Sequence, residues 1–155
     1  MAGKIDARLQ ELGITLSSGG PVAGNYVSNV VTGNLVFISG QVPLENGVRK
    51  FIGKVGREFS VEEGAKAAEL CAIGLLSRLK DACGGDLDRV VRCVKLVGFV
   101  NATEDFGDQP KVINGASDLM VKVFGDAGRH ARSAVGMGSL PFGVAVEVEA
   151  IFEIK

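Results

Sequence analysis

Two arginines and the single histidine of the chain stand immediately before a predicted strand, inside an otherwise apolar, small-residue segment; they are Arg129, His130 and Arg132. A planar guanidinium can hold a carboxylate through two parallel hydrogen bonds, so Arg132 could fix a small organic acid. The alternative is an ion pair between Arg132 and a strand glutamate, which would serve only the fold. The group therefore predicts an anion site, with a structural ion pair as the other interpretation.

A second candidate is Glu147, which lies in a final segment where apolar and acidic residues alternate. A carboxyl group on a sheet face that oligomerisation buries can act as a general acid or base, because burial favours its neutral form. Glu149 and Glu153 follow with the same alternation, so an ordinary solvent-exposed face is the alternative.

Other chemical motifs fail on spacing. Gly47–Lys54 resembles a phosphate-binding loop, but five residues rather than four separate its glycines, and Val55 replaces the hydroxyl that would hold magnesium. The single histidine makes a poor metal centre, and the cysteines lack CxxC spacing and are expected to be reduced and mostly buried: Cys71, Cys83 and Cys93. We therefore expect neither a metal nor a cofactor.

Composition limits the class of protein. The length of 155 residues predicts one domain. The 17 basic and 18 acidic residues give a net charge of -1. This balance argues against a nucleic-acid partner. No apolar run is long enough to span a membrane and no secretory signal is evident, so a cytoplasmic location is expected.

The spacing of apolar residues predicts the elements that must position these side chains. We expect a short amphipathic helix at about 3–13 and a hairpin that pairs Tyr26–Val31 with Leu35–Ser39. Ser60 and Glu63 form a capping-box pattern before a long helix that ends at Gly84–Gly85. The remaining elements are a strand over Arg89–Val100 buried on both faces, a helix from Pro110 to about Phe124 with Gly125 just past its end, and a long strand over Val144–Ile154.

This order predicts an α+β fold, with a single mixed β-sheet and two main helices on one face. No element of the chain is left to cover the other face, although Ile151 and alternate hairpin residues point to it. We therefore expect a homo-oligomer that buries this face.

Several segments resemble the RidA (YjgF) family of imine deaminases, over most of the chain from Tyr26 onward. They are Gly33–Pro43 with the sequence GNLVFISGQVP, Arg132–Ala134, Leu140–Pro141 and Val146–Ala150. The N-terminal helix, the segment 48–57 and GRHARSAVG at 128–136 indicate a longer subgroup, with residues 1–155 forming one RidA-like domain.

The resemblance implies a chorismate-mutase-like fold, assembled as a homotrimer with clefts between subunits. It implies that Arg132 binds the substrate carboxylate, that Glu147 activates water against an imine carbon, and that other residues complete the cleft: Tyr26 as a cap, with Ser39 and Gly40 as lining. His130 could shift substrate choice or supply a proton, or else hydrogen-bond behind the site. Ala134 stands where many members have cysteine, which excludes a thiol role there.

The predicted function is therefore hydrolytic deamination of reactive enamines and imines, such as 2-aminoacrylate, to 2-keto acids and ammonia. The alternative is a non-catalytic trimeric protein that binds small carboxylates through Arg132. Ribonuclease activity ranks third, because one tyrosine, no tryptophan and a slightly acidic charge supply neither stacking platforms nor a basic stripe.

Overall fold

The computed structural model describes residues 2–155, which form one five-stranded sheet, a small separate hairpin and three α-helices. The helices are α1 (Lys4–Glu11), α2 (Val61–Ala82) and α3 (Gln109–Phe124). The strands are β1 (Asn29–Thr32), β2 (Leu35–Gln41), β3 (Leu44–Glu45), β4 (Val48–Arg49), β5 (Val90–Asn101), β6 (Ala131–Met137) and β7 (Val146–Ile154). The order in the main sheet is β1-β2-β7-β5-β6, and β3 pairs with β4 across the predicted turn at Glu45–Gly47.

Both main helices begin and end where the sequence predicts. The Ser60 Oγ accepts from the Glu63 amide at 3.2 Å, and a Glu63 carboxylate oxygen accepts from the Ser60 amide at 3.2 Å, which confirms the capping box of α2. Gly84 follows the end of α2 with φ of 66°, and Gly125 follows α3 with φ of 63°, values that glycine adopts without strain. Pro110 lies in the first turn of α3, as expected.

The core lies between the sheet and these two helices. Alternate residues of β7 are buried against it, namely Val146, Val148, Ala150, Phe152 and Ile154. The helices approach closely at Gly115 of α3, where a Cβ would overlap the carbonyl oxygen of Ala65 in α2. The α+β fold with one mixed sheet and two main helices on one face is confirmed.

The other sheet face is uncovered in a single chain. Phe37 on β2 is 42% exposed and its cross-strand neighbour Val30 on β1 is 52% exposed. In the single chain only the helix-facing residues of β5, such as Leu96 and Val100, have a layer packed on them, so burial of β5 on both faces stays a prediction that depends on a second copy of the chain.

Two predicted boundaries also change. The first strand begins at Asn29 rather than at Tyr26, which lies outside the sheet and is 50% exposed. Strand β6 begins at Ala131, so Arg132 lies within the strand and not before it. Both differences change which surface these side chains reach.

The three cysteines are free and buried, as expected. Burial raises the pKa of the Cys93 thiol to about 12, which keeps this sulfur protonated and unreactive. Among the helices of residues 2–155, none has both the length and the apolar character needed to cross a membrane. Over the same residues, no group of three or more potential metal ligands is present.

Candidate active site

Glu147 lies against bare backbone at the end of β2. Its strand neighbours Val146 and Val148 are buried under the helices, so the glutamate points to the uncovered side of the sheet. The β2–β7 register shifts between Ile38 and Gln41, and Gly40 lies in this irregularity. A Cβ at Gly40 would overlap the Glu147 carboxylate, so glycine is what allows the carboxylate to occupy this position.

The environment of Glu147 favours its neutral form. The side chain is half-buried, and burial raises the pKa of its carboxyl group above the ordinary 4.5, with the negative charge of Glu149 adding to the rise. A carboxyl group with a raised pKa exchanges protons more readily near neutral pH than an exposed glutamate does. The position is thus suited to general acid–base chemistry.

A pocket of about 340 Å³ opens beside this carboxylate. Its lining combines three of the predicted residues, Tyr26, Gly40 and Glu147, with three that sequence reasoning missed, Arg49, Arg78 and Phe142. No local pattern marks these three, because they come from β4, α2 and the turn before β7.

Ser39 does not line this pocket. Its hydroxyl donates to the Val27 carbonyl oxygen at 2.9 Å, and the residue borders a neighbouring cavity of about 430 Å³ on the uncovered sheet face. Lys95, Glu149 and Ile151 line that cavity as well. The structure therefore gives Ser39 a backbone partner within the chain, and its role in substrate binding remains a prediction.

Arg132 lies on the helix side of the edge strand β6. It is paired in register with Leu96, which is buried beneath the helices, so both side chains point to that side. Its Nη1 donates to the Asn114 Oδ1 at 2.8 Å and to the Ser117 Oγ at 3.1 Å, both on α3. Within residues 2–155 its guanidinium makes no ion pair, so the structural ion-pair interpretation is wrong.

His130 completes a hydrogen-bonded chain behind Arg132. Its Nδ1 lies 2.6 Å from the Gly128 carbonyl oxygen, which can only accept, so Nδ1 carries the proton. In the neutral ring Nε2 then accepts from the Ser117 hydroxyl at 2.9 Å, which leaves the hydroxyl lone pairs to accept from Arg132. Burial lowers the pKa of His130, and the charge of Arg132 lowers it further against the opposing Gly128 bond, so the neutral ring is favoured.

This arrangement places His130 behind the arginine, which fits the last of its three predicted roles, a hydrogen bond behind the site. Asn114 and Ser117 were not predicted as site residues, although their spacing of three places them on one face of a helix. Carboxamide and hydroxyl partners leave the positive charge of Arg132 uncompensated. The guanidinium is thus oriented without being neutralised, which suits it to an anion.

The two predicted reactive residues lie on opposite sides of the sheet in one chain. Glu147 is paired with Phe99 of β5, whereas Arg132 is paired with Leu96, three residues earlier on the same strand. Since side chains alternate along a strand, these pairs face opposite sides, and β5 separates the two strands. One small molecule cannot contact both side chains within a single chain.

Removing the Ser117 hydroxyl is expected to weaken the orientation of Arg132. Ser117→Ala leaves the Nη1 with Asn114 alone, so the affinity for a small keto acid is expected to fall about two- to tenfold, the value of one net hydrogen bond. Calorimetric titration measures this. Ser77→Ala is the matched control, because that hydroxyl bonds only within α2, to Ile73. An unchanged affinity in Ser117→Ala would show that Asn114 alone orients the guanidinium.

Comparison with known proteins agrees with this fold. The family model described as "YjgF/chorismate mutase-like, putative endoribonuclease" matches residues 6–152. The chain belongs to this YjgF/RidA family. Protein TCP17 of Trypanosoma cruzi is 47% identical over 155 residues, which cover 99% of this chain and 96% of TCP17.

Two solved structures are similar over nearly the whole chain. Atu1372 of Agrobacterium tumefaciens, a protein of unknown function, is 50% identical with a TM-score of 0.90, over 97% of this chain and 92% of its own. A Shewanella oneidensis protein described as a "putative endoribonuclease" is 31% identical with a TM-score of 0.94, over 98% and 100% of the two chains. These similarities support the family and the fold, and they assign no substrate.

Proposed function

We propose that the protein hydrolyses reactive enamines and imines of 2-amino acids to 2-keto acids and ammonia. The observation that supports this best is the half-buried Glu147 carboxyl group, with a raised pKa, held against the bare backbone of Gly40 in a small pocket. Such a group can move a proton between water and a bound imine, and the reaction requires no more than that.

The proposed reaction is addition followed by elimination. The Glu147 carboxylate accepts a proton from water as the water oxygen attacks the imine carbon, and the proton passes to the imine nitrogen. In the resulting amino alcohol, Glu147 takes the hydroxyl proton and passes it to the amino nitrogen, the C–N bond breaks as the oxygen becomes a carbonyl, and the nitrogen leaves as ammonia. Glu147 returns to its starting state, and no electron is gained or lost.

In this proposal Arg132 of a neighbouring subunit binds the substrate carboxylate. Arg132 and Glu147 face opposite sides of one sheet, so a shared substrate requires two copies of the chain. The exposed apolar side chains of the uncovered face, among them Phe37 and Val30, provide a surface on which copies can associate. A homotrimer with clefts between subunits, as in the family, satisfies both requirements.

Light scattering coupled to size exclusion is expected to show a trimer. Phe37→Glu places a charge on the uncovered face and is expected to yield monomers that have lost imine hydrolysis. Val48→Glu is the matched control, because Val48 is 58% exposed on the separate β3–β4 hairpin. A stable monomer that hydrolyses imines at the same rate would contradict the shared site.

The second candidate function is a carboxylate-binding protein without catalysis. The uncompensated Arg132 held by Asn114 and Ser117 supports this candidate equally well, because binding does not need Glu147. A panel of imines generated from different amino acids separates the two functions. Keto-acid formation above the uncatalysed rate supports the deaminase, whereas binding of keto acids with no acceleration across the panel supports the binding protein.

Ribonuclease activity, which the family description names, receives less support. The single histidine uses both ring nitrogens inside the chain, toward Gly128 and Ser117, and is not available as an exposed acid–base group. The slightly negative net charge also provides little attraction for RNA phosphates.

A further inference from the structure

Two arginines that line the Glu147 pocket have only neutral partners. The Arg49 guanidinium carbon lies 3.5 Å from the centre of the Phe142 ring, so the guanidinium stacks on the aromatic face. The Arg78 Nη2 donates to the Gly20 carbonyl oxygen at 2.6 Å. Among residues 2–155, neither arginine forms an ion pair with a carboxylate.

Glu147 does not neutralise them. A guanidinium paired with this carboxylate would lower its pKa, yet burial and the charge of Glu149 raise it. The pocket therefore combines two positive charges with one carboxyl group whose raised pKa favours its neutral form. Its surplus of positive charge is suited to a ligand with an anionic group of its own.

The pocket presents these two charges in defined positions. A Cβ at Gly19 would overlap the Arg78 guanidinium, so the loop before β1 packs directly on this side chain. Arg78 is carried by α2, and the Gly20 carbonyl uses one of its five N–H donors. Arg49 is carried by β4 and is held by the Phe142 ring. Donors remain on both guanidiniums for a carboxylate in the pocket.

Resting on the proposed function, we propose that the preferred substrates are imines of dicarboxylic 2-amino acids, whose distal carboxylate binds Arg49 and Arg78. The α-carboxylate is left to Arg132 of the neighbouring subunit. Val42, Leu44 and Pro141 supply an apolar lining for the methylene groups between the two carboxylates of the substrate. A substrate with a small neutral side chain would leave both guanidiniums without an anionic partner.

The experiment compares two imines generated in place by amino-acid oxidases, from glutamate and from alanine. The ratio of their kcat/KM values is expected to favour the glutamate-derived imine, and to fall about ten- to hundredfold in Arg49→Gln and in Arg78→Gln, since a charge-assisted contact is lost. Arg57→Gln is the matched control, because Arg57 lies outside the pocket and pairs with Glu58. If Arg78→Gln fails to fold, Arg49→Gln alone tests the inference.

Calorimetry separates this inference from the proposed function. Binding of 2-oxoglutarate is expected to be tighter than binding of 2-oxobutyrate, and this preference is expected to be lost in both arginine variants. If no imine is hydrolysed but the preference is present and needs the arginines, the deaminase fails while the dicarboxylate site stands. Equal binding of the two acids, or equal losses for both in the variants, would overturn the inference.

Discussion

Glu147→Gln is expected to lose most imine hydrolysis, about 10²- to 10⁴-fold, while its oligomeric state and much of its keto-acid affinity remain. Glutamine keeps the shape of the side chain beside Gly40 but cannot accept a proton from water. The substrate 2-aminoacrylate is short-lived, so a serine dehydratase generates it in the assay, and keto-acid formation above the uncatalysed rate is measured. Glu153→Gln, at the far end of the same strand face, is the matched control, since that carboxylate bonds to Asn34.

The pH profile distinguishes a proton-transfer role from a structural one. As the base, Glu147 must be ionised, so the rate is expected to fall as the pH drops through a pKa above the ordinary 4.5. Glu149→Gln removes a like charge, so ionisation of Glu147 becomes easier, and the fall of the rate is expected to move to lower pH. Acceleration that survives Glu147→Gln would assign the proton transfer to another group.

Arg132→Lys is expected to weaken binding of 2-oxobutyrate by about 1.5–3 kcal/mol, the value of a charge-assisted hydrogen bond. Lysine keeps the positive charge but loses the planar fork and the contacts to both Asn114 and Ser117. Calorimetric titration measures the affinity, and thermal unfolding checks that the variant remains folded.

Arg129→Lys is the matched control for this measurement. Its side chain is 71% exposed and pairs with Asp126, so the same chemical change there is expected to leave keto-acid affinity unaltered. Unchanged affinity in Arg132→Lys would remove Arg132 from the carboxylate site and restrict it to anchoring β6 on α3.

The two predictions test different parts of the proposed shared cleft. Loss of hydrolysis in Glu147→Gln with retained binding would identify an enzyme whose binding and proton-transfer groups are separable. Loss of binding in Arg132→Lys with no hydrolysis in the wild-type protein would identify the carboxylate-binding protein. Both results bear on the proposed assembly, in which each side chain would reach the substrate from a different copy of the chain.

Local sequence determined the elements that carry the site. The Ser60–Glu63 capping box, Pro110 and the glycines after each helix act within a few residues, so the bounds of α2 and α3 could be predicted. The alternation around Glu147 could likewise be predicted, because the period of a strand is a property of its own backbone. Arg132 and Glu147 could also be chosen as candidates from the sequence, because the chemistry of a side chain and its place in the chain need no tertiary contact to be known.

Only the tertiary structure decided which groups these side chains contact and which side of the sheet they face. The sheet order places β5 between β6 and β7, and the register pairs Arg132 with Leu96 and Glu147 with Phe99, so the two side chains point to opposite sides. The packing of α3 on β6 gives Arg132 its neutral partners, and the approach of α2 and the β3–β4 hairpin brings Arg78 and Arg49 to the Glu147 pocket. These contacts join segments distant in sequence, and the sheet register that sets them depends on the whole core and not on any local pattern.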